Sequence, residues 1–487
     1  MHGLKSTPPH HPASRTLVRA IVSLAATAAL ATGDFREFKD VTGRTLKAEF
    51  AGLEAGQVIL KLPNGNLAKV PVERLSKDDH DYIAAQQTKN ADAAKAVNGA
   101  LGFPAFSAGH FATRKAVEIA ATMQLPLESE SPVGNSWRLY AAVRKPGYTL
   151  FGAVPYSVAL YSNANGEAES LSIVFANKGD YGSKAGFATE HFNQKAGPDE
   201  PTSLADAMKR DHDLIEKALT KALGEGEKQR FGDTGTRRTA LRWDWNEHSF
   251  LLSLVEGEYV SVQVVSSSHA DAGGRSGRVS DADVRARLEL SVRRGDNGDV
   301  WVSGIPMVDQ GPKGYCVPAT FERAMRHMGV EADMYLLAMV GQSSAGGGTV
   351  VEWLIENLRS QVYRKGRRLR DIAVSDLRIR DLQRHIDAGI PLLWRMCSMP
   401  EYNEIAGKNT DTRGGDAHAE WLASVRKDFA KRGKPSDNHH LCMIIGYTGK
   451  TGEVAVSDSW GKHFELRWVP IEVANWVNNG DLIVIQP

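Results

Sequence analysis

The sequence predicts a multidomain α+β protein: a small β-barrel-like domain at the N-terminus, an α+β domain in the middle, and a C-terminal α+β domain that combines a helix with an antiparallel sheet. Three observations carry this. The 487 residues exceed what one hydrophobic core serves. Near the N-terminus, short alternating runs are separated by glycines, the punctuation of a small sheet. In the last third, apolar residues recur at 317, 321, 324, 325 and 328, one face of a helix closed by Gly329, and strongly apolar strands follow.

Composition narrows the function. Basic and acidic residues nearly cancel, 59 against 58, so no global charge argues for nucleic acid or an anionic surface as partner. Three cysteines do not make a disulfide framework, and the odd number leaves at least one thiol free. Residues 1–33 have the form of a signal peptide. Lys5, Arg15 and Arg19 precede an apolar run from Ala20 to Ala31, too short for a permanent span and ending in small residues. Cleavage is expected near Ala31 or Gly33, and the mature chain is expected to be secreted or periplasmic, with no permanent membrane span. An uncleaved anchor or a later start codon is the alternative.

Residues 34–84 form the first domain. Runs at Leu46, Ala48 and Phe50, at Val58, Leu60 and Leu62, and at Leu67, Lys69 and Pro71 are separated by Gly43, Gly56 and Asn64-Gly65, the marks of tight hairpins. The order D-x-T-G-R … G-x-V-x-L … G … V-P-x-x-x-L-S-x-x-D resembles the small domain named for its homology to a yeast actin-assembly protein, Sla, over about 50 residues. That resemblance implies peptide binding or, more plainly, a structural or adhesive module with cell-envelope association. Residues 85–110, alanine-rich and polar, read as a partly helical linker.

The middle domain, 111–266, contains no cysteine. Strands are expected at Trp137–Val143, Tyr156–Tyr161 and Leu171–Phe175, the last two joined at Asn165-Gly166, then at Ala240–Trp245, Phe250–Leu254 and Tyr259–Val265. Between them lies a helix, Ser203 to Leu223, with Ser203 and Asp206 in capping-box positions. Trp243 and Trp245 share a strand face, as core or as a ligand platform. The charged, Ser- and Gly-rich stretch 267–298 reads as a second linker.

Residues 299–487 hold the chemistry. Cys316 opens its helix, where the macrodipole favours an anion, and the thiolate is the form that attacks carbonyls. Gln310 stands six residues earlier and offers a side-chain N–H. Far downstream, NHHLCMIIGY and EVAVSDSWG form a hairpin. With Gly446 opposite Gly452, His440 faces Asp458 directly, close enough for a hydrogen bond. The roles follow: Cys316 attacks, His440 moves the proton, Asp458 orients the imidazole, and Gln310 with the Cys316 backbone N–H receives the oxyanion. Trp460 is placed to cover the His440–Asp458 bond.

Two further features surround this set. The run SSAGGG leads into Thr349-Val350-Val351-Glu352, a capping-box pattern, and its glycines suit close approach of a peptide backbone or a plain loop; no lysine follows in the phosphate-loop position. About 40 polar residues separate the strand at Ile390–Met396 from the histidines, with a surface helix expected in GDAHAEWLASVRKDFAKRG.

Gln-x5-Cys, a His six residues before Gly-Tyr, and Asp-Ser-Trp-Gly occur in an order that resembles the papain-like cysteine peptidases, over roughly 300–487. The aspartate and the lead-in I-P-M-V-x-Q are similar to the branch related to bacteriocin-leader (double-glycine) peptidases. The resemblance implies a papain-like fold, a peptide or protein substrate, and catalytic roles for Cys316, His440, Asp458 and Gln310, with no cofactor and no metal. Val317-Pro318 departs from the papain context, so subsites do not transfer, and no transporter is fused here to imply leader processing. Several readings stay open: His439 as the base; a metal among His418, His439 and His440; Cys397 and Cys442 as core residues or as a pair; a non-catalytic peptide-binding protein; or a transglutaminase-like acyl transferase.

Overall fold

A four-stranded antiparallel meander, Arg36–Lys39, Thr45–Glu54, Gln57–Lys61 and Leu67–Pro71, opens the chain in the computed structural model. The structure describes residues 35–182 and 201–487 apart from 55, 65, 234 and 296; the expected signal peptide and Gly65 of the Asn64-Gly65 turn lie outside the described residues. Alternation buries Phe38, Ala48, Val58 and Leu60 with Leu75 and Ile83 beneath. The meander is open: among the described residues its first and last strands do not pair. The chain divides into two units, Met1–Lys89 and Asn90–Pro487, with the boundary inside the helix Lys77–Leu101. Much of the expected linker 85–110 is therefore helix, and Val97 and Leu101 are fully buried in the core of the second unit.

Among its described residues the second unit contains two sheets. The first is antiparallel and eight-stranded, in the order Leu127–Ser129, Ser136–Leu139, Ser157–Ser162, Ala168–Asn177, Tyr259–Ser266, His248–Val255, Arg238–Trp245 and Glu227–Phe231. The helix Leu204–Leu223 lies against it through Ala207, Met208, Ile215 and Leu219, and Ser203 accepts a hydrogen bond from the Asp206 N–H as its cap. Trp243 and Trp245 are core residues, 3% and 8% exposed. The expected strand Trp137–Val143 stops at Leu139; Tyr140 turns the chain into a helical turn, Ala141–Arg144, and sends its ring into a separate core.

That separate core joins Tyr140, Val174 and Tyr259 of the first sheet's domain to Val308, Tyr315, Ala319, Met334, Tyr335 and Ala338 of the C-terminal region. The middle and C-terminal domains thus share buried apolar surface. The expected linker 267–298 also contributes: the helix Asp281–Ser291, capped by Ser280, buries Val284 and Leu288 in the C-terminal core.

The second sheet runs Val292–Arg294, Asp299–Val302, His439–Thr448, Leu392–Cys397, Asn478–Gln486 and Arg368–Ile372, with Glu453–Ser457 and Arg467–Pro470 branching from His439–Thr448. The helix Cys316–His327 packs on it, burying Phe321, Ala324 and Met325. Pro318 sits in the first turn, where an amide has no helical partner to lose. Gly329, at φ 70°, closes the helix while the Val330 N–H reaches back to the Met325 carbonyl at 2.9 Å. The insert before the histidines contains two helices, Pro400–Thr412 and His418–Phe429, each with one face buried, through Tyr402, Ala406 and Asn409 and through Leu422, Val425 and Phe429.

Candidate active site

Cys316 begins its helix with Tyr315 at the N-cap and no side chain capping the end. Its amide is one of the first-turn N–H groups that have no intrahelical partner. Thr320, one turn on, donates to the Leu441 carbonyl at 3.0 Å and ties the helix to the strand that starts with the two histidines. His440 lies against Cys316. Burial pushes the Cys316 thiol up, but the facing His440, by charge and hydrogen bond, and the Leu441 backbone N–H bring it below the usual thiol value. Burial pulls His440 down, and the Asp458 and Cys316 anions outweigh it, so its pKa is pushed up to about 10.

Asp458 accepts from His440 Nε2 at 2.7 Å, which leaves Nδ1 for the sulfur side. The hairpin register differs from expectation. Pairing Gly446 with Gly452 would set Met443 against Ala455, whereas Met443 pairs with Ser457 and the loop closes at Thr448 and Glu453. The hairpin closes three residues off the expected pairing, and a bulge between Ile444 and Gly446 returns one, so the offset on the histidine side is two. A side chain on Gly446 would sit 2.6 Å from the Val300 carbonyl and 2.9 Å from Ala455 Cβ, so two neighbouring strands close in on it. Asp458 follows Ser457 and so lies diagonally from His440 rather than opposite it, on the same face.

Sequence reasoning missed what holds Asp458. Arg467 Nη2 donates to Asp458 Oδ2 at 3.3 Å and Nη1 to Asn403 Oδ1 at 3.0 Å. The Ser459 N–H donates to Asp458 Oδ1 at 3.1 Å. The carboxylate is 1% exposed and keeps a cation at its back. Nothing in the local pattern marks Arg467 beyond its being a charge in the apolar strand Arg467–Pro470. Trp460 covers His440, with ring centroids 4.7 Å apart.

Gln310 is 7% exposed and clamped at three points. Its backbone N–H donates to the Ser459 carbonyl at 2.9 Å, its Oε1 accepts from Ser459 Oγ at 2.8 Å, and its Nε2 donates to the Lys313 carbonyl at 2.9 Å. The amide is thereby fixed with its NH2 turned toward the loop that leads into Cys316, one N–H still to give.

The other histidine points elsewhere. His439 Nδ1 meets Asn479 Nδ2 at 2.9 Å and lies 4.0 Å from the Cys397 sulfur. His418 bonds Asn409 at 2.9 Å. All three cysteines are free, and Cys397 and Cys442 are buried. No metal-binding cluster among the described residues includes any of these histidines.

The glycine strip Gly346–Gly348 approaches a backbone closely, but the backbone is the chain's own. Gly314 N–H donates to the Gly346 carbonyl at 3.0 Å and Gly348 N–H to the Gly314 carbonyl at 3.1 Å. A side chain at Gly347 would collide with Gly314. Gly346 N–H donates to the Lys178 carbonyl of the middle domain at 3.3 Å, so the strip braces the nucleophile loop. The expected capping box also changes: the next helix starts at Val351 with no side-chain cap, and Thr349 bonds Ser343 at 2.6 Å instead.

Residues 302–480 match the Peptidase_C39 like family, and residues 31–91 match SLA1 homology domain 1, SHD1. No curated protein matches the chain. The first match supports a cysteine peptidase, a hydrolase acting on peptides.

Proposed function

We propose that the chain is an exported papain-like cysteine peptidase that cleaves peptide or protein substrates with Cys316, His440, Asp458 and Gln310. The observation that carries the reading is the unbroken line Cys316–His440–Asp458, with a thiol lowered, an imidazole raised, and a buried carboxylate 2.7 Å behind it. The Cys316 thiolate attacks the scissile carbonyl while the Gln310 side-chain N–H and the Cys316 backbone N–H receive the oxyanion. Protonated His440 then gives its proton to the leaving amine, and a thioester remains. His440 takes a proton from water, the hydroxide attacks the thioester, and Cys316 is released as thiolate with the carboxylic acid product.

Export and envelope association complete the proposal, resting on the signal-like stretch 1–33 and on the SHD1 match. The test is cleavage of a peptide library by the purified full chain and by Cys316→Ala, together with the N-terminal sequence of the protein recovered outside the cytoplasm. Cleavage lost in Cys316→Ala, and a mature N-terminus near Ala31 to Gly33, are the expected results. Cleavage that survives Cys316→Ala refutes the nucleophile; an intact Met1 in cytoplasmic protein refutes export.

A further inference from the structure

The stretch 307–315, which carries Gln310 and delivers Cys316, is gripped on one side by the middle domain. Met307 N–H donates to Ser129 Oγ at 2.8 Å, and Asp309 N–H donates to Glu128 Oε1 at 2.9 Å. Tyr140 Oη donates to the Asp309 carbonyl. Glu128 is fixed in turn by Arg138 at 2.7 Å and by Ser136 Oγ at 3.1 Å, all three buried.

Lys313 is the second anchor. Its side chain is 0% exposed, its ammonium lies 3.2 Å from Asp180 Oδ1, and the rings of Tyr140, Tyr335 and Tyr315 surround it at 4.6, 5.0 and 5.6 Å. Asp180 is 1% exposed and accepts from Asn177 Nδ2 at 2.9 Å and Tyr335 Oη at 3.3 Å. A fully desolvated pair of this kind is costly to form and more costly to break on one side. It is also linked to the oxyanion donor, because the Lys313 carbonyl holds Gln310 Nε2. Two glycines make the docking tight: a Cβ on Gly179 would lie 2.5 Å from the Tyr315 ring, and one on Gly311 would lie 2.8 Å from the Tyr140 ring.

Resting on the peptidase reading, we infer that the middle domain is a working part of the site: Asp180, Glu128 and Tyr140 are positioning residues that hold the Gln310 amide and the Cys316 N–H where the oxyanion forms. The domain acts through the loop and touches no reacting atom. A loop held only from its own side keeps the Ser459, Tyr335 and Gly346–Gly348 contacts and loses the carboxylate that pairs with Lys313.

The test separates positioning from folding by comparing two reactions of one thiol. Hydrolysis of a fluorogenic peptide amide needs the oxyanion hole; alkylation of Cys316 by iodoacetamide is a displacement at saturated carbon and does not. For Asp180→Asn in the full chain, kcat for hydrolysis is expected to fall roughly 10- to 100-fold, the scale of an ångström-sized misplacement. The alkylation rate and its pH profile stay within about twofold. Tyr140→Phe, which keeps the ring and removes one hydrogen bond, gives the same pattern more weakly and decides the matter if Asp180→Asn does not fold.

In a Gln310→Ala background the Asp180→Asn loss shrinks to the part carried by the Cys316 N–H, because the Gln310 donor is already gone. Hydrolysis within twofold of wild type in every foldable variant, alkylation that falls in step with hydrolysis, or full multiplication of the two losses would each overturn the inference. A wild-type chain that neither hydrolyses peptide nor alkylates at Cys316 overturns the peptidase reading itself, and the positioning claim with it.

Discussion

Strand His439–Thr448 begins with two histidines on opposite faces, and each meets a cysteine. His440 meets Cys316 at a helix start, with Asp458 at 2.7 Å behind the ring and Trp460 over it. His439 meets Cys397 across the paired strand at 4.0 Å, with the neutral amide of Asn479 on the same ring nitrogen. The first thiol is lowered by its histidine. The second is raised by burial and by Asp437, with no cation to oppose them. A cysteine beside a histidine is therefore common to both; what differs is a carboxylate on the far nitrogen and a helix N-terminus under the sulfur.

Removing each sulfur in turn should have the largest effect. Cys316→Ala should abolish peptide hydrolysis, while Cys397→Ala should change kcat by less than about twofold, since it contacts none of the reacting groups. Comparable losses in the two variants would erase the distinction. A subtler change targets the carboxylate. Asp458→Ala should lower kcat by roughly 10²-fold or more, as expected when an acid–base group loses its orienting partner.

Asp458→Asn keeps an acceptor and removes the charge, so it should move the alkaline limb of the pH–rate profile. The sign follows from His440: the Asp458 anion raises its pKa to about 10, and the amide does not, so the alkaline limb expected from His440 in wild type should fall to lower pH. An alkaline limb unmoved by the substitution would show that Asp458 does not charge the imidazole.

Legibility differed by region for physical reasons. The Cys316 helix was readable because its signals are local: apolar spacing, Gly329, and a thiol in the first turn. The register of the hairpin was not, because its turn closes at Thr448 and Glu453 and a bulge follows beside Gly446, where strands Asp299–Val302 and Glu453–Ser457 flank the chain on both sides. His440 still meets Asp458 because the three-residue slip at the turn becomes two beyond the bulge. An even slip preserves the strand face, whereas a slip of one would have turned Asp458 away.

Arg467, the Lys313–Asp180 pair and the bracing of Gly314 by Gly346–Gly348 were illegible for the opposite reason. Each joins segments far apart in the chain, and none leaves a mark in local spacing. The stretch 267–298 misled because polar residues on the outer face of the helix Asp281–Ser291 outnumber the two, Val284 and Leu288, that enter the core.

In the proposed peptidase Cys316 is a thiolate because His440 is charged beside it. Site-resolved alkylation by iodoacetamide, followed by mass spectrometry from pH 5 to 10 in wild type and His440→Ala, tests it directly. Cys316 is expected to react below the pH at which an ordinary thiol does, with Cys397 and Cys442 silent there, and His440→Ala is expected to move Cys316 up to ordinary thiol behaviour. Equal reaction of the three cysteines, or a Cys316 profile indifferent to His440, would contradict it.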